Sequence, residues 1–222
     1  MPTGNEDILG AVQYAVNFCN DETHGYFNDV TSTRNRWGVP DTDCSGLVWL
    51  ALFNNGFDVG TSAPADMWNT DSMMSRLPGV GFTEYIYPWG RYGDYVPQHG
   101  DICVYRQPTH GHAFFYAENV LGFADKSTAT RSTIAKARVE AIHDYNNAPG
   151  DSQYNGTGAY NEVWVHPFNG LYDADDEHRT WHVFRWGGGP GPTPITDQTS
   201  LGMLAGLAIS NNKRRFSGSR WS

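Results

Sequence analysis

The chain has 222 residues and a formal net charge of −9 at pH 7, which is room for one domain with a sizeable core and an appendage. Charged residues make up only 18% and aromatics 14%, so the composition excludes a disordered chain. The acidic balance excludes nucleic acid as the main partner of the body.

Three cysteines, Cys19, Cys44 and Cys103, are an odd number and do not form a disulfide framework. No Cys-x-x-Cys spacing supports a metal site, and no metal or cofactor is expected. Residues 1–7 are polar and acidic, with neither the basic end nor the apolar stretch of a secretory signal.

In chain order, Ile8, Leu9, Val12, Ala15, Val16 and Cys19 recur at helical spacing and predict a first helix over 6–19, with Asn5 as a candidate cap. Residues 20–40 are polar and turn-rich and read as a loop, in which Tyr26 and Trp37 either line a cleft or pack on the surface. Asp41-Thr42-Asp43-Cys44-Ser45-Gly46 then gives way to an apolar run, Leu47 to Phe53, that stops at Asn55-Gly56. This places Cys44 in the first turn of a buried helix of roughly three turns. Unpaired N–H groups and the helix dipole at that end favour negative charge, so a thiol there is expected to ionise more easily. The competing reading is a small buried hydrophobe.

Residues 57–98 are irregular and rich in aromatics, with a helix expected over Asp66 to Arg76. Trp68 and Trp89 in this stretch either stack on a ligand or form a satellite core. Residues 101–106 and 112–118 predict a hairpin, Leu121 to Ser127 a third strand or its end, Glu162 to His166 a further strand, and Trp181 to Trp186 a last one. Between them, Ile134, Ala137, Val139, Ala141 and Ile142 fit helix and strand equally. Residues 144–161 read as loop. Cys19, on the apolar side of the first helix, and Cys103, in a strand, are expected in the core.

A Gly/Pro linker over 187–198 separates the body, 1–186, from a tail, 199–222. Residues 190–222 carry Lys213, Arg214, Arg215 and Arg220 against Asp197, a net +3 on an otherwise acidic chain. The apolar run Leu201 to Ile209 is far below the roughly 20 residues of a membrane span, so no transmembrane segment is expected. The tail reads as a docking peptide for a partner protein, ahead of weak membrane association or an inert extension.

A cysteine on a helix start and a histidine opening a strand, His112, are the two halves of a nucleophile–base pair. His110, two residues earlier, is the alternative base. Asp43-Cys44-Ser45-Gly46-Leu47-Val48, Gly100-Asp101-Ile102-Cys103-Val104-Tyr105 and Gly111-His112-Ala113-Phe114-Phe115-Tyr116, in that order, resemble the NlpC-type papain-like cysteine peptidases and the related CHAP amidases. The resemblance covers roughly residues 5 to 186. It implies an α+β, papain-like fold, with N-terminal helices packed on an antiparallel sheet and a flexible C-terminal tail. It also implies hydrolysis of an amide bond in the peptide part of bacterial peptidoglycan, by a Cys44 thiolate with His112 as base.

A third polar group that orients the imidazole is expected on the strand after the histidine strand. Asp125 is the best placed, with Glu118 and Asn119 as competitors. Asp43 and Ser45 beside the nucleophile, with Tyr26, Trp37, Trp68 and Trp89, are the candidate substrate-binding residues. Asp101 is expected to hold the hairpin turn. Without a signal peptide, such an enzyme would be carried on a phage virion or delivered by a secretion machine, whose protein would be the partner of the tail. The alternatives are an acyltransferase or deamidase acting on protein with the same chemistry, and a non-catalytic component of a particle.

Overall fold

A computed structural model of the protein describes residues 6–21, 24, 42–60, 67–123, 131–143, 161–171 and 178–187. Chain contacts divide the sequence into Met1–Gly191 and Pro192–Ser222; the second part lies outside the described residues. The described residues of the first part form three α-helices and six strands: α1 Ile8–Asn20, α2 Cys44–Asn54, α3 Thr70–Arg76, β1 Phe82–Tyr87, β2 Ile102–Arg106, β3 Gly111–Phe123, β4 Arg131–His143, β5 Asn161–Pro167 and β6 Trp181–Trp186. This is an α+β arrangement. Every neighbouring pair of strands is antiparallel, in the order β1-β6-β2-β3-β4-β5.

α1 starts where Asp7, in extended backbone, accepts a hydrogen bond from the Gly10 amide at 2.9 Å. The cap is therefore Asp7, not Asn5, which lies outside the described residues. Its buried face is Ile8, Ala11, Val12, Ala15, Val16, Phe18 and Cys19, the i, i+3, i+4 stripe of an amphipathic helix. α2 is different, because every residue from Cys44 to Leu52 is buried. A helix that is apolar all round needs neighbours on all sides, and α2 accordingly lies inside the helical layer. The Asp7 amide donates to the Asn55 carbonyl at 3.0 Å, joining the start of α1 to the end of α2. α3 opens on a capping box between Asn69 and Ser72.

Side chains alternate along each strand, and the two faces of the sheet separate cleanly. Ile102, Val104, Ala113, Phe115, Ala117, Val139, Val165 and Phe184 face the helices in one large core. Cys103, Tyr105, Phe114, Trp181 and Val183 form a second cluster on the other face, closed by Tyr95 and Leu171. Each fully buried large side chain contributes roughly 1.5–3 kcal/mol.

The structure decides one open reading, changes one expectation and adds one strand. The stretch Arg131–His143 is a strand, and its pattern is ambiguous because Arg138 and Glu140 are buried along with their apolar neighbours. β3 continues to Phe123, so Leu121 to Phe123 extend the histidine strand and do not begin a third one. β1 has no counterpart among the expected strands; it lies at the sheet edge, and only Phe82 in it is buried.

The Asp101 carboxylate bonds to β6 and to the segment before β2, not to the turn between β2 and β3. It is 1% exposed and accepts from Arg185 Nε and Nη2, both at 2.8 Å, and from the Tyr95 hydroxyl and the Gln98 amide, both at 2.9 Å. Arg185 Nη2 also donates to the Val96 carbonyl. One carboxylate thus ties β6 to the turn before β2.

Candidate active site

Cys44 is the first residue of α2, and Asp43 is its cap. The Asp43 carboxylate accepts from the Gly46 amide at 2.6 Å and from the Ser45 hydroxyl at 2.9 Å. These two expected substrate contacts therefore build the turn that presents Cys44, and both are buried. The glycine of the motif has a steric reason: a Cβ on Gly46 would lie 2.4 Å from Thr42 Oγ1.

The sulfur lies within hydrogen-bonding reach of the backbone of Ala113, the residue after His112, and of Ser45. The start of α2 and the start of β3 therefore meet. Gly111, at the start of β3, is closely packed against α3 and β2. A Cβ there would lie 2.3 Å from Thr70 Oγ1 and 2.8 Å from the Tyr105 carbonyl oxygen, so any larger residue would push β3 away from β2.

Cys44 does not ionise more easily at this helix start. Burial comes first, then the Asp43 carboxylate, and together they outweigh the backbone groups of Ala113 and Ser45 and push the thiol up to about 12. A cap that is itself a carboxylate cancels much of what the helix end supplies. The resting group is a thiol, and ionisation requires a partner that takes the proton.

His112 is 7% exposed and sits beside Tyr105 and Phe114, with ring centroids 6.2 Å away in each case. Its Nε2 lies 2.6 Å from Glu140 Oε2. An ionised carboxylate only accepts, so Nε2–H donates, and Nδ1 carries the lone pair of the neutral ring. That tautomer can accept a proton at Nδ1.

Glu140 is buried at 1%. Burial opposes its charge, but Arg138, His166 and His112 act together to hold its carboxyl well below the usual range. Nη1 of Arg138 is 3.8 Å from Oε1, its guanidinium lies over the Phe114 ring, and Nε2 of His166 donates to the same Oε1. Glu140 also acts on Cys44, as a smaller upward influence.

Glu140 occupies the strand where the third group was expected, but it is not the residue expected. Asp125 lies outside the described residues. Of its competitors, Glu118 accepts from the Tyr116 hydroxyl, and its amide donates to His99 Nδ1. Asn119 sits at a positive φ of 54°. His110 contacts the Thr109 hydroxyl at 3.0 Å. Among the described contacts it is His112, and not His110, that meets the carboxylate.

Trp68 is buried at 2% in the helix-side core, so its ring offers no face to a ligand. Trp89 is 54% exposed and its ring lies 4.0 Å from that of His178. The next residue, Arg179, is buried with its guanidinium over Tyr105, and its carbonyl accepts from the Tyr92 hydroxyl. Trp89 is thus linked to the His112 end of the sheet through His178, Arg179 and Tyr105. Tyr26 and Trp37 lie outside the described residues.

Sequence reading misses Glu140, Arg138, His166 and Arg179. The first two stand two apart on a stretch whose period is ambiguous, and alternation alone would have put them on one face. No group of three or more His, Cys, Asp or Glu among the described residues has the arrangement of a metal site. No described helix is long and apolar enough to cross a membrane. No protein-family model matches the chain, and no curated protein matches it in sequence.

Proposed function

We propose that the chain is a papain-like cysteine hydrolase that cleaves an amide bond in the peptide moiety of bacterial peptidoglycan. The observation that carries the reading is the meeting of α2 and β3. Cys44 opens the helix with its sulfur at the Ala113 backbone, and the preceding residue, His112, is fixed by Glu140 through Nε2. The three sequence motifs that resemble NlpC-type and CHAP enzymes supply the substrate class.

In this reading the Cys44 proton passes to Nδ1 of His112 as the sulfur attacks the amide carbonyl carbon. Glu140 stabilises the imidazolium that forms. The Cys44 amide, in the first turn of the helix, donates to the developing oxyanion. The imidazolium then protonates the leaving amine as the carbon–nitrogen bond breaks. Water, deprotonated by His112, releases the acyl group and regenerates the thiol. Because the resting thiol stands at about 12, sulfur and imidazole exchange the proton during attack, without a standing ion pair.

The enzyme would act from a phage virion or as a delivered effector, with residues 199–222 docking on a particle or secretion-machine protein. Its wall affinity would not come from bulk charge, since the wall is also anionic. The test is digestion of purified sacculi followed by mass spectrometry of the released muropeptides. Release by the native chain that Cys44→Ala abolishes supports the reading, and an unchanged rate in Cys44→Ala removes it.

A second reading is favoured by the burial of Cys44, which is 7% exposed. In it the same fold is a non-catalytic component of a particle. No release of muropeptides by the native chain, together with incorporation of Cys44→Ala into particles, would select it.

A further inference from the structure

We propose that His166 is a positioning residue that governs how much of the Glu140 charge reaches His112, so that the Cys44–His112 pair responds to pH through a second imidazole. The inference rests on the hydrolase reading of Cys44 and His112.

Glu140 has two oxygens and each meets one ring. Oε2 takes His112 Nε2 at 2.6 Å, and Oε1 takes His166 Nε2. The three side chains come from adjacent strands: β3, β4 and β5. In the register, Arg138 stands opposite His166. The His166 ring is held by stacking on Trp164, with centroids 4.2 Å apart and planes inclined by 25°. It is the wetter of the two histidines, its side chain 17% exposed against 8% for His112.

One negative charge therefore serves two sites that can each become cationic. Arg138 already balances that charge. A proton on His166 leaves the cluster net positive and opposes a second proton on His112. The two rings must then titrate as a coupled pair. Other ionisable groups beside the cluster, among the described residues, include Tyr105, whose ring centroid is 6.2 Å from that of His112, Arg179 and His110, which pack on Tyr105, and the Cys19 thiol of α1, whose sulfur contacts the Glu140 carbonyl oxygen at 3.7 Å; Cys44 opens α2 with Asp43 as its cap. Cys19 and Cys44 are held protonated by burial.

A purely structural His166 would only fill Oε1, and glutamine can do that with its side-chain N–H. The experiment is NMR titration of the imidazole rings in the full chain, in the native sequence and in His166→Gln and His112→Gln. Removing His166 should raise the His112 midpoint by roughly one pH unit, and removing His112 should raise the His166 midpoint by the same amount, because coupling is reciprocal. Iodoacetamide labelling of Cys44, read by peptide mass spectrometry across pH, should show a limb that moves with the His112 midpoint.

Midpoints that stay fixed in both variants overturn the proposal. A labelling limb that stays while the midpoint moves overturns the link to Cys44. If His166→Gln does not fold, the His166 shift in His112→Gln decides. None of these readings needs a wall substrate. A coupled pair in a chain that releases no muropeptide would therefore refute the hydrolase reading and leave the coupling standing.

Discussion

Glu140 Oε2 and His112 Nε2 are 2.6 Å apart, and both side chains are buried. The contact sets the tautomer of His112 and supplies the charge that would stabilise its protonated form. Glu140→Gln keeps the shape but loses the charge and can donate to Nε2, which favours the wrong tautomer. Hydrolysis of sacculi by this variant should fall by roughly two to four orders of magnitude. Muropeptide release timed against the native chain checks it. A loss under tenfold would remove Glu140 from the mechanism.

The same carboxylate bears on stability. Glu140→Ala leaves the buried Arg138 guanidinium facing a gap, and breaking a buried ion pair costs about 3–5 kcal/mol. Urea unfolding at neutral pH measures it. The pH dependence has a fixed sign. Because the folded value is depressed well below the ordinary 4.5, the contribution is fully present above that value. It is lost progressively as pH falls below it towards the folded value. The native chain should therefore lose stability on acidification in that range, and Glu140→Gln should lose less.

β2, β3, β6 and the first two helices are legible in the sequence because each buries one clear pattern. α2 is a continuous apolar run after a polar turn, and Ile102, Val104, Ala113, Phe115 and Ala117 alternate as strand residues facing helices do. β1 is not legible, since an edge strand with most of its side chains exposed shows no inward face. β4 is hidden for the opposite reason. Charged residues in a strand normally mark its wet face, but Arg138 and Glu140 point into a dry one. The proposed catalytic pair can be read from motifs. Its carboxylate cannot, because its role depends on cross-strand register, which only the folded sheet fixes.

Asp101 accepts four hydrogen bonds while almost fully buried. Asp101→Ala should cost about 3–5 kcal/mol, because it leaves the partly buried Arg185 without its charge partner. Tyr95→Phe removes one neutral donor to a charged acceptor and should cost about 1.5–3 kcal/mol. Because Tyr95 packs in the cluster on the sheet face away from the helices, the surviving folded Tyr95→Phe protein should keep its labelling rate at Cys44. Denaturant midpoints and iodoacetamide kinetics on one sample test both halves.

The last prediction concerns alkaline pH. Cys19, Cys44 and Cys103 are all buried and free, and burial raises each thiol above its ordinary value of 9.0, Cys44 to about 12. A raised folded value means that the unfolded chain releases the proton first. The stability held by each thiol is complete below the ordinary value and is lost as pH rises from there through the folded value. Each cysteine should lower the unfolding free energy by about 1.4 kcal/mol per pH unit in that window. Urea midpoints of the native chain should thus fall steeply above about pH 9. Cys103→Ala is the cleanest variant for this measurement, since its sulfur lies on the sheet face away from the helices. It will lower stability at neutral pH, yet its midpoint should decline less steeply with alkali than that of the native chain. Equal slopes would mean that Cys103 reaches water in the folded protein and titrates there as it does in the unfolded chain.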